Sequence, residues 1–304
     1  MHGRPVVDID ALRTFLAIHR RGTVTAAAAE LFRSQPAVSR RLALLETALG
    51  VPLFERVPGG LVLSEAGRAL LPFAEQMLAT LTDAEAAVRA VRAEDAGPVR
   101  IALVGTLAST DLTGVLRRFA RRRPGVELIL RTATSREVGD LVRRADVQLG
   151  LRYRPDPSPE LHSEILFHER LVVAAAPEHP FAGTRCAGLH ALADQRWIAF
   201  PEPPGRPEVS ATYGRRALED AGITGDQLLR IDSLTAQKRL IEAGFGIALV
   251  PDSSIGEELA AGSLVVLDVA GLDLWLPVAV LTRRNGYLGA ATRTLLTELR
   301  AEAP

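Results

Sequence analysis

The sequence predicts a multidomain α/β chain: a small helical head with a two-stranded wing, a long connecting helix, and a larger body of two α/β lobes. Three observations predict it. Residues 23–50 hold two short helical patterns separated by a tight turn. Residues 65–92 keep an apolar 4,3 spacing along a single helix. From residue 99 onward, short apolar strands alternate with amphipathic helices, the pattern of a parallel sheet with right-handed crossovers. At 304 residues the chain exceeds one typical domain, and a hydrophobic content of 47% is enough to fill several cores.

The head opens with a helix over residues 9–21, for which Asp10 is the expected cap and Leu12, Phe15, Leu16 and Ile18 the inward face. Thr25 is placed to cap the next helix, and Ala26, Ala27, Ala28 and Ala29 propagate it at low entropic cost. Ala27, Ala28 and Leu31 form its small apolar face. The run breaks at Phe32 and Arg33. Ser34 is a second cap, and Pro36 falls in a first turn, where its missing N–H costs nothing. Val38, Leu42, Leu45 and Leu49 follow at helical spacing and face inward. Gln35, Ser39, Arg40 and Arg41 are left outside near that helix's N-terminus. Such a pair is either an ordinary αα-hairpin or a helix-turn-helix, whose second helix enters the major groove. Arg is suited to guanine O6 and N7, and Gln to adenine N6 and N7. Pro58, Gly59 and Gly60 then make a turn between two short apolar runs, a β-hairpin in the position of a wing.

The run SQPAVSRRLALLETALGVPLFER, followed by LSEAG, closely resembles the DNA-binding domain of LysR-type transcriptional regulators over about 55 residues. The resemblance implies a winged helix-turn-helix over residues 1–64. It implies DNA contacts by Thr25, Arg33, Ser34, Gln35, Pro36, Ser39, Arg40, Arg41 and Arg56, with Arg56 at the minor groove or phosphate. Residues 57–60, at the wing's tip, hold no basic residue, where many members of the family carry one.

Residues 65–96 form the linker helix and hinge. Leu70, Ala74, Met77, Leu81, Ala84, Val88 and Val91 make a heptad seam, which reads as a dimerisation helix. Pro72 near its start should kink it. Residues 94–98 are a polar hinge rich in breakers.

The body spans 97–304, with lobe I at 97–163 and 268–304 and lobe II at 164–267. Strands are expected at 99–104, 126–130 and 147–151, with helices at 109–123 and 135–144 between them. Two short crossing strands at 165–166 and 171–176 lead into lobe II. That lobe takes strands at 197–200, 247–250 and 264–267, and helices at 209–221, 233–243 and 252–261. A strand at 274–282 returns to lobe I, and a helix at 288–300 closes the chain. Two lobes joined by crossing strands resemble the clamshell of periplasmic binding proteins and the LysR-type effector-binding domain. LIEAGFGIALVP, residues 240–251, matches that family's late Gly-rich segment. A small ligand is expected between the lobes, beyond the strand ends. Carried over from the family, its contacts are Thr106, Ser135, Phe200, Pro201 and Ser233, with Arg131, Arg152 and Arg206 adding positive charge. Helix N-termini with nearby Arg favour a carboxylate-bearing ligand.

Composition bounds the rest. The chain holds 36 basic and 36 acidic residues, but residues 1–64 carry eight Arg against five acids, so a mildly basic head sits on a mildly acidic body. Lys238 is the only lysine. Cys186 is the only cysteine, which excludes an intramolecular disulfide and a multi-cysteine zinc site. The six histidines show no H-E-x-x-H spacing, and no G-x-S-x-G, Walker or Rossmann motif is present. Gly244 and Gly246 read as a helix-to-strand turn. No enzyme activity, metal or cofactor is therefore expected. Without a secretory leader or a long apolar run, the chain is expected in the cytoplasm, away from membranes. The resemblance implies a homodimer through the linker helix, assembly to a homotetramer, an interrupted inverted repeat as the DNA target, an effector response and contact with RNA polymerase. The rival readings are a cytosolic ligand-binding protein whose helical head only mediates assembly, and an enzyme using the cleft. Neither would bind DNA specifically.

Overall fold

The computed structural model describes residues 7–92, 97–201 and 209–302. It divides into two compact units, the first of residues up to 89 together with 143–145, the second of residues 90–142 and those from 146 on.

In the first unit α1 spans Ile9–Arg21 and is capped by Asp8, whose carboxylate accepts from Ala11 N at 2.6 Å. The expected cap, Asp10, lies inside the first turn instead. The next helix, α2 (Val24–Glu30), is capped by Thr23, accepting from Ala26 N at 3.1 Å, so Thr25 is an exposed second-position residue and not the cap. In both cases the true cap sits two residues upstream, where its oxygen reaches the third amide of the helix. The third helix, α3, covers Gln35–Leu49 and ends on Gly50 in the left-handed region. Its Val38, Leu42 and Leu45 pack with Leu12, Phe15 and Ile18 of α1 and with Ala27 and Ala28 of α2. Leu49, expected inward, lies at the helix end, past this core, and is exposed.

The wing is a hairpin of β1 (Phe54–Val57) and β2 (Gly60–Leu63), in register from Phe54↔Leu63 to Val57↔Gly60. It is fastened to the α1–α2 loop, where Leu61 N donates to Gly22 O at 2.7 Å. Helix α4, Glu65–Arg92, follows directly. Ser64 caps it by accepting from Gly67 N at 3.0 Å while donating to Pro52 O at 2.7 Å. Gly67 lets the helix approach the wing: a Cβ there would collide with Leu53 O.

Pro72 lies inside α4 without ending it. Leu70 and Ala74, the start of the expected seam, pack into the head's own core with Leu71 and Leu78. Further along, Met77 and Val88 are 56% and 64% exposed, and Phe73, which the heptad omits, is 59% exposed. The open stripe therefore runs Phe73, Met77, Ala84, Val88, starting one helical step off the expected line. The side chain of Val91, residues 94–96 of the expected hinge and the terminal residues 1–5 lie outside the described residues.

The second unit begins with β3 (Val99–Leu103) and a 3-10 turn, Gly105–Ser109, so the helix expected from 109 starts later, as α5 (Leu112–Arg122). Strand β4 is Leu128–Thr132, α6 is Ser135–Arg143 and β5 is Leu149–Tyr153, both strands starting two residues later than expected. The two crossing strands are one, β6, running Leu161–Ala175. Next come β7 (Arg185–Cys186), β8 (Trp197–Ala199), α7 (Val209–Asp220), β9 (Leu228–Arg230), α8 (Leu234–Glu242) and β10 (Ala248–Pro251). A 3-10 turn, Asp252–Ile255, leads into α9 (Gly256–Ala261), then β11 (Val265–Val266), β12 (Asp268–Val269), β13 (Trp275–Arg283) and α10 (Ala290–Glu302).

The main sheet has the order β4-β3-β5-β13-β6-β10, with β11 also on β6. β3, β4 and β5 are mutually parallel, and β13 lies antiparallel between β5 and β6. Residues 161–170 of β6 pair with β13, with Leu166 left out at a bulge opposite Val278 and Ala279, and residues 171–175 pair with β10 and β11. Lobe I thus keeps β6 through Arg170 instead of losing it at 164. Lobe II keeps β12, which pairs with β7, so the chain returns to lobe I at Trp275 rather than at 268. Lobe I's core lies on one face under α5 and α10, around Phe119, Leu295 and Leu299, and on the other under α6, around Val138, Leu141 and Val142. Lobe II packs around Trp197, Ile223 and Val173, and around Ile198, Ile241 and Val250.

Gly67→Ala tests the docking of α4 on the wing. In an unconstrained helix the change would stabilise. Here the Cβ meets a backbone carbonyl, so a loss of about 1–3 kcal/mol in the head's denaturant-unfolding free energy is expected; unchanged or raised stability would contradict the packing.

Candidate nucleic-acid interface and ligand site

The turn between α2 and α3 is made by Phe32, which adopts φ +51°, a left-handed conformation that non-glycine residues resist. Phe32 N donates to Ala29 O and Arg33 N to Ala28 O, closing α2. The Phe32 ring is 96% exposed. No residue-type signal in the sequence could have found this, because turns of this kind favour Asn or Gly.

Ser34 takes the cap position of α3, but its hydroxyl makes no capping bond, and Pro36 sits in the first turn. Ser34, Gln35, Pro36, Ser39 and Arg40 are all exposed along one open helix end. Arg40 has no ion-pair partner among the described residues. Arg41 differs from expectation: its guanidinium is half-buried and held by Asp10 at 2.7 Å, with Asp8 at 3.9 Å. Arg33 reaches the same Asp10 at 3.4 Å, and Arg13 at 3.6 Å. Asp10, expected to be a cap, is thus the carboxylate that positions two of the predicted basic contacts. Arg56 projects from β1, exposed and without an ion-pair partner among the described residues. Also in the head, Glu30 ties α2 to Arg20 and Arg21 of α1. Burial pushes the Glu30 carboxyl up, yet hydrogen bonds from both guanidiniums outweigh this and hold it below its usual range.

In the second unit the carboxyl ends of β3, β4 and β5 lie side by side, and Thr106 and Ser135 both follow such ends. The cap of α6 is not Ser135 but Thr134, which receives Glu137 N at 3.3 Å while Glu137 accepts Thr134 N at 2.9 Å. This frees Ser135 of the capping role; its hydroxyl is buried at the helix N-terminus and has no hydrogen-bond partner among the described residues. Ser233 does cap α8, accepting from Ala236 N at 3.3 Å. Phe200 and Pro201 are exposed just after β8. Arg131 is exposed on β4. Arg152 is buried and spent on Asp156 beneath Gly139 of α6, so it is a packing ion pair and not a free charge. Arg206 lies outside the described residues.

Thr106 is buried, with its hydroxyl 2.9 Å from that of Tyr153. Tyr153 in turn donates to Glu169 Oε2 at 2.6 Å, and Ser253 donates to Glu169 Oε1. Tyr153 has one proton and gives it to Glu169, so Thr106 donates to Tyr153 and keeps only lone pairs for other partners. Burial, first, and the Glu169 charge push the Tyr153 phenol up. Burial likewise raises Glu169; hydrogen bonds from Ser253 and Tyr153 reduce the shift, and Asp252 adds to it. No motif in the sequence marks Tyr153, Glu169 and Ser253, whose meeting depends on the continuity of β6. Among the described residues no group of three or more His, Cys, Asp or Glu is placed to hold a metal ion.

Two family models match the chain: "Bacterial regulatory helix-turn-helix protein, lysR family" over residues 9–68, and "LysR substrate binding domain" over 92–304. The transcriptional regulator CbbR of Rhodospirillum rubrum is 30% identical, over 96% of this chain and 95% of its own length. The transcriptional regulator CfxR of Cupriavidus necator is also 30% identical, over 96% and 91%. Among solved structures, a full-length, singly substituted OxyR from Pseudomonas aeruginosa matches with a TM-score of 0.67 at 19% identity, covering 97% of this chain and 98% of its own. Full-length CbnR complexed with its target DNA matches with a TM-score of 0.61 at 24% identity, covering 98% of this chain and all of its own.

The Glu169 carboxyl titrates higher in the folded chain than its ordinary 4.5. Stability fully present below the unfolded value is therefore lost as pH rises through the folded value. Glu169→Gln should remove this loss, so its unfolding free energy relative to wild type should climb as pH rises above the ordinary carboxyl value of 4.5. A difference that does not change with pH would show that Glu169 is not buried as described.

Proposed function

Because the chain belongs to the LysR family of transcriptional regulators, we propose that the open N-terminal end of α3 reads base edges in the major groove, with Gln35, Pro36, Ser39 and Arg40 as its reading residues. The chain is a DNA-binding transcriptional regulator with a C-terminal effector-binding domain. The observation that carries the proposed docking is Arg40: exposed, on the open face of α3, and without an acidic partner among the described residues. Its guanidinium is suited to guanine O6 and N7. Thr25, Arg33, Ser34 and Arg41 flank that face as phosphate contacts, the two arginines held ready by Asp10, and Arg56 on the wing reaches the adjacent backbone.

Two such heads are joined through the α4 stripe of Phe73, Met77, Ala84 and Val88, which is apolar and open in the single chain. A two-fold dimer of this kind reads an interrupted inverted repeat, and dimers pair into a tetramer on the DNA. The protein works in the cytoplasm, where RNA polymerase is a further partner. Its effector sits beyond the carboxyl ends of β3, β4 and β5, reached by Thr106, Ser135, Phe200, Pro201 and Ser233. The unpaired Ser135 hydroxyl and the N-terminus of α6 favour an anionic group such as a carboxylate there.

DNA fragments enriched by the purified protein from a random pool supply a binding site without knowledge of the regulated genes. Arg40→Ala should weaken binding to the enriched site by about 1–3 kcal/mol and relax preference at one base pair in each half-site. Unchanged affinity and unchanged base preference would overturn the docking.

A further inference from the structure

The Glu169 side chain is 4% exposed and no cation is within ion-pair distance of it among the described residues. A buried carboxylate so placed is costly unless its oxygens are satisfied by donors. The two donors come from different lobes. Tyr153 ends β5 of lobe I and is fixed there by pairing with Val278 of β13. Ser253 belongs to the Asp252–Ile255 turn of lobe II. That turn is held from behind by Lys238 of α8, whose ammonium meets Glu258 at 2.7 Å and Ser254 O at 3.1 Å. Lys238 is the only lysine among 36 basic residues, and its slim ammonium reaches a site flanked by side chains that are mostly buried. Each donor is therefore rigid within its own lobe, and Glu169 stands on β6, one residue before the strand changes partners from β13 to β10.

We infer that Glu169 is a positioning residue that locks the two lobes together through the chain Thr106–Tyr153–Glu169–Ser253, so that a change at Thr106 is felt in the turn that opens α9. Thr106 feeds its proton into this chain, so a ligand that takes the Thr106 hydroxyl as a donor must draw it away from Tyr153 and weaken the arm to Glu169. A ligand in the cleft then loosens or tightens one lobe against the other through bonds already present in the free protein. The meaning of this lock rests on the reading of the second unit as the effector-binding domain, but the lock itself is measurable without DNA or effector.

Coupling of this kind is reciprocal. Hydrogen–deuterium exchange on the full chain tests it, with wild type compared with Tyr153→Phe, Ser253→Ala and Glu169→Gln. Tyr153→Phe, a change in lobe I, should speed exchange about tenfold in lobe II over residues 251–261. Ser253→Ala, in lobe II, should do the same in lobe I over residues 104–110. Glu169→Gln, which keeps the shape but leaves only one accepting oxygen, should speed exchange in at least one of the two segments while the interior of β13 stays protected. If each substitution speeds exchange only in its own lobe, or if neither segment responds in any variant, the lock does not exist.

Discussion

Strand β6 is the constraint on which the second unit depends. Fifteen consecutive residues form one strand while the chain leaves one lobe and enters the other. An unpaired passage would bury backbone N–H and C=O groups without partners, so the crossing must itself be sheet. The changeover at Arg170 and Leu171 then fixes much else. Glu169 faces both lobes because the strand carries it there, and β13 is compelled to run antiparallel between β5 and β6. The parallel trio β3, β4 and β5 presents its carboxyl ends, with Thr106 and Ser135, on the side where the strand crosses. The proposed ligand site follows from the crossing and the strand direction, in keeping with the general placement of sites in open α/β sheets.

The head solves a different problem with charge. The proposed reading face needs arginines near DNA, yet flexible arginines lose entropy on binding. Asp10 pairs with both Arg33 and Arg41 and holds their guanidiniums against α1, which under the proposed docking lowers that cost. Arg40 is left unrestrained. The exposed Phe32 at φ +51° and the uncapped Ser34 lie between these groups. Both break local preferences, and such departures gather where function outweighs stability.

Much of this is legible in the sequence because it rests on periodicity. The extents of α1 and α4, the turn before α3 and the Pro58-Gly59 wing turn all follow from apolar spacing and breakers. The caps are not, because Asp8 and Asp10, and Thr23 and Thr25, satisfy the same local rule; only the path of the preceding chain separates them. Leu49 obeys the helical period but lies beyond the reach of the core. Two-residue strands such as β7 and β12 carry no periodic signal, and β9 is scarcely longer. The continuity of β6 is hidden by His168, Glu169 and Arg170, a polar run that reads as a break. For the same reason the partners of Thr106 cannot be seen. Ser135 is legible at the right helix end, while the neighbouring Thr134 does the capping.

The central claim is that two heads, joined by α4, read one face of duplex DNA. Hydroxyl-radical footprinting of the full-length protein on its enriched site tests this most directly. The account predicts two protected segments on one face of the duplex, with centres separated by whole helical turns of about 10–10.5 base pairs. A single protected segment, or uniform weak protection that vanishes with competitor DNA, would contradict it.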